Sequence, residues 1–573
     1  MEVGLDPGMP TYSGGLGVLA GDTLRAAADL GVPMVALTLL HRKGYFRQHL
    51  DVHGGQTETE DDWNPEDFLQ PLEPRASVTV EGRPVLLRAW QYTVRGVSGH
   101  TVPVYFLDAD LPDNDPRDRA LTGQLYGGDT RYRLSQEVIL GIGGLAMLRA
   151  LRHGQLQTYH MNEGHAALLA IALLEEVTWG RGLESATAAD FEMVRQKGVF
   201  TTHTPVPAGQ DKFPLDLARE VLGEDRVRAL ERGPGCLDGL LNMTYLALSS
   251  ARYVNGVALR HGEISRGMYP GYPIRSITNG VHAGTWISHP FQELFDREIP
   301  EWRSDNLYLR YAGNIAVEDV LDAHAQAKRD LLAEIQARTG VKLDRSVMTI
   351  GFARRAAEYK RAGLLFSDIE ALRAMTRDVG PIQVVYAGKA HPRDEGGKSL
   401  IRGVFDAAEA LRGIVPVVYL EGHDMALAKL LCSGVDLWLN TPQKPHEASG
   451  TSGMKAALNG VPSLSVPDGW WVEGWVDGVT GWCIGNGWEN DPAREVTSLY
   501  NKLTYVILPL FYGRPEAYAT VMRSTIAVNG SFFNAQRMVS QYVENAYRLR
   551  GEWSLRNGVA DPTARPALVR QDR

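Results

Sequence analysis

The segment Glu447-Ala-Ser-Gly-Thr-Ser-Gly-Met-Lys-Ala-Ala-Leu-Asn-Gly460 concentrates groups able to do chemistry. Small residues and hydroxyls lead into a short helical run expected over 454–459, which Gly460 and Pro462 close. Thr451 and Ser452 are good N-caps, and the loop N–H groups at a helix start attract an anion. Lys455 is then expected in the first turn. A lysine beside a phosphate cradle can act as a counter-charge or form a Schiff base. A surface lysine on a capped helix is the plain alternative.

A second concentration lies where strand-like runs end. Ligands of open parallel sheets bind beyond the carboxyl ends of the strands. One run leads into Gly351-Phe-Ala-Arg-Arg-Ala-Ala-Glu-Tyr-Lys-Arg361 and another into Tyr386-Ala-Gly-Lys-Ala-His391. The next two lead into Glu421-Gly-His-Asp424 and Asn440-Thr-Pro-Gln-Lys-Pro-His-Glu447. Cations dominate these ends: Arg354, Arg355, Lys360, Arg361, Lys389 and Lys444. Solvated loop charge explains any one such cluster, but four in succession favour an anion site. Near the start, Tyr12-Ser-Gly-Gly-Leu-Gly17 follows a strand-like Met1–Leu5 and precedes a helical face of Leu16, Leu19, Leu24, Ala27 and Leu30. A glycine turn between strand and helix can offer N–H groups to an anion. It is neither G-x-G-x-x-G nor a P-loop.

Other clusters carry less. His160 and His165 are five residues apart, which is not the H-E-x-x-H spacing, and no metal is expected. The acidic stretch Glu58–Asp62 reads as a solvated loop in preference to a glycosidase carboxylate pair. Trp470 and Trp471 are either a sugar-stacking platform or a packed core pair.

The elements that must position these groups are legible as an alternation. Runs at 104–107, 199–202, 347–352, 382–386, 417–420 and 435–439 read as buried strands, and 135–152, 318–339 and 424–433 as helices. Such alternation argues for parallel sheets covered by helices. The 573 residues allow three to five domains, or fewer large α/β units. With 59 Lys+Arg against 68 Asp+Glu the net charge is −9, which excludes a general nucleic-acid binder. Hydrophobic residues make up 44% and charged residues 22%, as in a soluble globular chain. Cys236, Cys432 and Cys483 form no CxxC pair, so neither zinc nor a disulfide framework is expected and a reducing cytosol fits. No apolar run approaches the roughly 20 residues that span a bilayer, and the start is not a signal peptide.

The 447–460 segment resembles the pyridoxal-phosphate segment of the α-glucan (glycogen, starch and maltodextrin) phosphorylases. The resemblance continues, in family order, through Tyr12-Ser-Gly-Gly-Leu-Gly, Gly127-Gly-Asp-Thr-Arg-Tyr-Arg, Thr201-Thr-His-Thr-Pro and Val254-Asn-Gly-Val-Ala. It takes in Ile277-Thr-Asn-Gly-Val, Glu358-Tyr-Lys-Arg and Asn529-Gly-Ser-Phe-Phe-Asn534, so it spans residues 1 to about 547. The Thr-Ser-Gly before the lysine is similar to the bacterial and archaeal branch. What it implies is an α/β fold of two Rossmann-like domains facing a central cleft, the glycosyltransferase B architecture. Residues 1–255 would be the glucan- and phosphate-side domain, 256–547 the pyridoxal-phosphate domain and 548–573 a C-terminal tail. The implied reaction is phosphorolysis of terminal α-1,4-glucosyl units by inorganic phosphate, releasing glucose 1-phosphate with retention. The partners would be the glucan and phosphate in the cytoplasm, with no nucleic acid, no membrane, and homo-oligomer formation left open.

By the same resemblance Lys455 would hold pyridoxal phosphate as a Schiff base, and Thr451 and Ser452 would cradle the cofactor phosphate. Gly14 and Gly15 would line the cofactor, phosphate and sugar site. Arg355 and Lys360 would bind substrate phosphate, Lys360 also near the cofactor phosphate. Tyr359, His203, Asn255, Glu447, Ser449 and Gly450 would hold the glucosyl unit. Lys455, Arg355, Lys360, His203 and Gly15 would carry catalysis. The cofactor phosphate would relay a proton through the substrate phosphate. Two phosphates ~4 Å apart repel by about 4 kcal/mol per unit-charge pair at an effective dielectric near 20, so adjacent cations are required.

Two departures stand out. The chain begins inside what would be the family's first strand, which leaves no place for N-terminal phosphorylation control of the animal kind. His423 and Asp424 stand where the animal enzymes have an aromatic residue and an arginine, and Asp424 would weaken phosphate binding unless Lys389 or Lys444 compensates. A nucleotide-sugar glucan synthase on the same fold, or a non-catalytic glucan-binding relic, are the competing readings.

Overall fold

The computed structural model describes residues 1–206, 210–487 and 490–549; the expected C-terminal tail lies almost wholly outside them. The apolar runs of the second half become one parallel sheet. Its spatial order is Val417–Leu420, Ile382–Ala387, Met348–Ala353, Leu437–Asn440, Ser463–Ser465 and Gly481–Cys483. Ile350 pairs with Val384 on one side and Leu437 on the other, which fixes the central register. Helices Val317–Thr339, Glu395–Ala410 and Met425–Gly434 are among those that surround it, which is why its strands are apolar on both faces.

The first half holds a second parallel sheet, in the order Ile274–Ser276, Tyr253–Gly256, Gly198–Thr201 and Tyr159–Asn162. Residue 255, the expected end of the first domain, lies within it. Beside it Ala36–Leu39 runs parallel to Thr101–Asp108, and Arg83–Arg95 and Gln70–Val80 continue that sheet antiparallel. This antiparallel extension is not foreseen by the alternation of strands and helices.

Met1–Leu5 forms no strand, contrary to expectation. It is extended and buried, and its backbone bonds go to the loop beside it: Val3 N–H to the Thr11 carbonyl and Gly4 N–H to the Gly17 carbonyl. Helix Gly15–Asp29 follows as expected, with Gly21 so close to this segment that a Cβ there would meet the Gly4 oxygen at 1.9 Å. The helix expected at 135–152 starts earlier, at Thr130. The Asp129 carboxylate accepts the Tyr132 N–H at 2.8 Å there, and the helix then passes through a π turn at Ile139–Gly143.

After Asn529 the chain returns to the first half. Ala535–Tyr542 packs against Gly15–Asp29, and Val281 and Phe533–Ala535 exchange backbone bonds. Among the described residues no helix is long and apolar enough to cross a membrane.

Candidate active site

The carboxyl ends of the two parallel sheets and the Gly14–Gly15 loop enclose a cavity of about 1210 Å³. Lys455 lies on its wall. Helix Thr451–Leu458 begins three residues earlier than expected because Gly450 takes the left-handed conformation, φ +87°, and serves as N-cap. Thr451 and Ser452 are therefore its first two residues and not its caps, and no side chain caps it. Lys455 consequently sits in the second turn. Its Nζ stands 3.7 Å from the Trp286 ring centroid. Among the described residues it makes no ion pair, and burial lowers its pKa against the opposing pull of Asp22.

Around it the charges are unevenly matched. Lys360 Nζ meets Glu447 Oε2 at 2.5 Å, and Arg354 Nη1 reaches the same oxygen at 3.3 Å while Nη2 donates to Ser452 Oγ at 3.1 Å. One carboxylate thus serves two cations. Burial works against its ionisation, but Lys360 and Arg354 prevail and hold the Glu447 carboxyl below its usual range. Arg355 and Lys389 also line the cavity, and among the described residues neither pairs with a carboxylate. Cations therefore exceed carboxylates at the Lys455 end, while Glu2, Asp129, Glu163, Asp211 and Glu358 line the cavity elsewhere. Arg361 and Lys444 do not belong to it, because both turn to Glu495, at 2.6 and 3.6 Å. The counter-charge available opposite Asp424 is thus Lys389 and not Lys444. The Asp424 carboxylate caps Met425–Gly434, accepting the Leu427 N–H at 2.8 Å.

Of the residues expected to hold sugar, Tyr359, His203, Glu447, Ser449 and Gly450 line the cavity with Gly14, Gly15, Thr451 and Ser452. Asn255 does not. It is fully buried within strand Tyr253–Gly256, accepting from Thr201 Oγ1 at 3.0 Å and donating to the Gly256 carbonyl and the Tyr542 hydroxyl, each at 3.0 Å. The asparagine the structure brings to the cavity is Asn279, from Ile277-Thr-Asn-Gly-Val. It donates to Ser449 Oγ at 3.0 Å, and its Oδ1 is buried without a partner. Both motifs contain Asn-Gly, and only the strand end decides which asparagine faces the cleft.

His203 is set by neighbours the sequence did not single out. Glu163, at φ +73°, accepts its backbone N–H at 2.7 Å, and Asn162 Oδ1 lies 2.6 Å from Nε2. With that oxygen as acceptor Nε2 carries the hydrogen and Nδ1 is free to accept. Burial pushes this imidazole down to about 3, so it is neutral near pH 7. His423 is also brought down to about 3, by burial and then by Lys389 and Lys455. The glycine loop is held by Glu2, whose carboxylate accepts the Ser13 N–H at 2.6 Å and the Tyr126 hydroxyl at 2.8 Å. Nothing lies within 4 Å of a Cβ at Gly14, and one at Gly15 would meet Thr451 Oγ1 at 4.0 Å. Trp470 and Trp471, 1% and 0% exposed, are core residues, which removes the sugar-platform reading. His160 binds Tyr547 and Thr201, and His165 binds the Met1 amino group.

Fold and site together define an α/β protein with a polar cleft and, on its wall, a buried lysine that makes no ion pair among the described residues. A model of the carbohydrate phosphorylase family matches residues 235–477. The chain is 38% identical to the maltodextrin phosphorylase of Thermococcus litoralis, over 96% of this chain and 70% of that protein. Identity to the glycogen phosphorylase of Mycobacterium tuberculosis is also 38%, with the same coverage. For the glycogen phosphorylase of Aquifex aeolicus it is 32%, over 95% of this chain and 85% of that one. The chain belongs to the carbohydrate phosphorylase family.

Proposed function

We propose that this protein cleaves terminal α-1,4-glucosyl units of an α-glucan with inorganic phosphate, releasing glucose 1-phosphate with retention, and that it holds pyridoxal phosphate at Lys455. The observation that carries the reading is the Lys455 amine, buried and, among the described residues, without an ion pair, beside Arg354 and Lys360, which share the one Glu447 carboxylate. The residues fit the cofactor: the amine is free to hold an aldehyde, Arg354 and Lys360 offer counter-charge, and the glycines leave the opposite wall without side chains. The two parallel sheets flanking the cleft support a reading as two Rossmann-like halves of the glycosyltransferase B kind.

When bound, pyridoxal phosphate supplies a phosphate able to exchange a proton with the substrate phosphate. The protein's part is binding and orientation. Arg355, exposed at the cavity and without an acid partner among the described residues, is assigned to the substrate phosphate, for which its planar fork gives bidentate geometry. Lys360 and Arg354 neutralise the inner charge, and Glu447 keeps them in place. Thr451 and Ser452 present the uncapped helix start to the inner anion. Glu447, Ser449, Gly450, Asn279 and Tyr359 offer acceptors and donors to sugar hydroxyls. Neutral His203 offers Nδ1 as an acceptor without adding charge. Helix and loop N–H groups, being fixed before substrate arrives, stabilise developing charge without reorganising.

Purified protein given maltodextrin and phosphate should yield glucose 1-phosphate, and borohydride should leave a pyridoxyl adduct on Lys455. An adduct without product would indicate a glucan-binding relic. Turnover of a nucleotide sugar with neither adduct nor phosphate dependence would indicate a synthase.

A further inference from the structure

Lys455 rests on a support that the reaction itself does not require. The indole N–H of Trp286 donates to both oxygens of Asp22, at 2.8 and 3.0 Å, and the Asp22 side chain is fully buried. A buried carboxylate is costly unless well partnered. Besides the indole its nearest cation is Arg25, 3.7 Å away. The carboxylate is thus committed to fixing one ring, and the other use of that ring is its face, on which the Lys455 amine lies. Behind the pair, buried Asn459 joins their backbones, donating from Nδ2 to the Trp286 carbonyl at 2.9 Å and to the Lys455 carbonyl at 3.0 Å. Its Oδ1 accepts the Ser288 N–H at 2.8 Å. Ring and lysine are therefore locked in register from two sides.

We propose that Asp22, Trp286 and Asn459 are positioning residues that hold the Lys455 amine on the cavity wall and aim it at the cofactor aldehyde. The inference rests on the proposed role of Lys455. An indole face attracts an ammonium, and a carboxylate on the ring's N–H strengthens that attraction. The other groups facing the amine are Cys432, from Met425–Gly434, and His423, just before that helix. Arg354 faces Cys432 from the strand end. Asp22 is the one carboxylate among these groups, so its removal should favour the neutral amine.

The test uses the full chain, treated with hydroxylamine to clear any aldehyde from Lys455. Reductive methylation by formaldehyde and cyanoborohydride is then followed lysine by lysine, by peptide mass spectrometry, from about pH 6 to pH 10. Wild-type Lys455 should reach half-maximal rate at a lower pH than an ordinary exposed lysine. In Asp22→Asn the midpoint should fall further, raising the Lys455 rate at neutral pH several-fold while the exposed lysines are unchanged. Midpoints identical to wild type, in variants with native near-ultraviolet dichroism, would overturn the proposal, since a merely structural role lowers stability without moving the profile. If Asp22→Asn does not fold, the double variant Asp22→Leu with Trp286→Phe, which removes the carboxylate together with the N–H it accepts, carries the same comparison. Formaldehyde reads the bare amine. An unmoved midpoint therefore sinks this inference alone, whereas a moved midpoint with no natural pyridoxyl adduct sinks the proposed function and, with it, the aim at an aldehyde, leaving only the support of the amine.

Discussion

Arg355 and Glu447 illustrate opposite ways of placing charge. Glu447 holds Arg354 and Lys360 and serves as their anchor, whereas Arg355 has no acid partner among the described residues and is available to an incoming anion. Arg355→Ala should therefore lower turnover by about 100-fold or more while pyridoxal phosphate content, read by absorbance, stays near wild type. Equal loss of both would show that Arg355 serves the cofactor. Asp468 gives a stability prediction of definite sign. It is 1% exposed and accepts the N–H groups of Glu447 at 2.9 Å and Gly469 at 3.0 Å. Burial, the largest influence, raises its carboxyl to about 6 from an ordinary 3.8. The unfolded chain then binds fewer protons than the folded one between those values, so this group's contribution declines as pH rises through the window. Denaturant unfolding should show wild type losing roughly 3 kcal/mol relative to Asp468→Asn between about pH 4 and pH 7. A constant difference across that range would refute the assignment.

At the scale of elements, the hairpin of Arg47–Leu50 and Gln56–Thr59 joins the halves across the cleft. Gln48 donates to the Gly388 carbonyl at 2.9 Å and accepts the Gly422 N–H at 3.0 Å; Gln56 makes the equivalent pair of bonds with Ala390, at 2.9 and 3.0 Å. The loops so held carry Lys389 and His423. Both glutamines are buried, so truncation leaves backbone groups unpaired at about 1–3 kcal/mol per site. Gln48→Ala should lower the melting temperature and raise KM for phosphate more than it lowers kcat. A change in kcat alone would argue that the hairpin does not position these loops. None of this was legible from the sequence, because side chains that imitate backbone across 340 residues leave no periodic or motif signal. What was legible is what local chemistry dictates: the apolar strands, the helix expected over 318–339 and found at Val317–Thr339, and the polar groups at strand ends. The start of the lysine helix was misplaced because left-handed Gly450 competes with Thr451 and Ser452 for the cap, and only Gly tolerates that backbone. Asn255 was misassigned because a motif gives residue type and not which end of the strand faces the cleft.

At the scale of the molecule, the helix Ala535–Tyr542 near the end of the described residues packs on the half where the chain began, and that crossing reaches the site. From Ala535–Tyr542, Arg537 donates to the carbonyls of Thr278 and Asn279 at 2.5 and 2.9 Å, and its Nε to the Phe532 carbonyl at 2.8 Å. It thereby fixes the loop that presents Asn279 to the cavity. Burial, opposed by Glu473, brings this guanidinium down to about 10, still charged at neutral pH. It acts through carbonyl dipoles and not through any contact with the cavity, so its removal should loosen the Asn279 loop without altering the cations at the Lys455 end. Arg537→Ala should therefore raise KM for the glucan several-fold, leave KM for phosphate within about twofold, and lower stability by about 1–3 kcal/mol for the unpaired carbonyls. Arg537→Lys, with one point charge in place of a fork, should restore stability better than it restores glucan affinity. Equal losses in affinity for both substrates would mean that the returning helix supports the cleft as a whole, and that Asn279 is not what it positions.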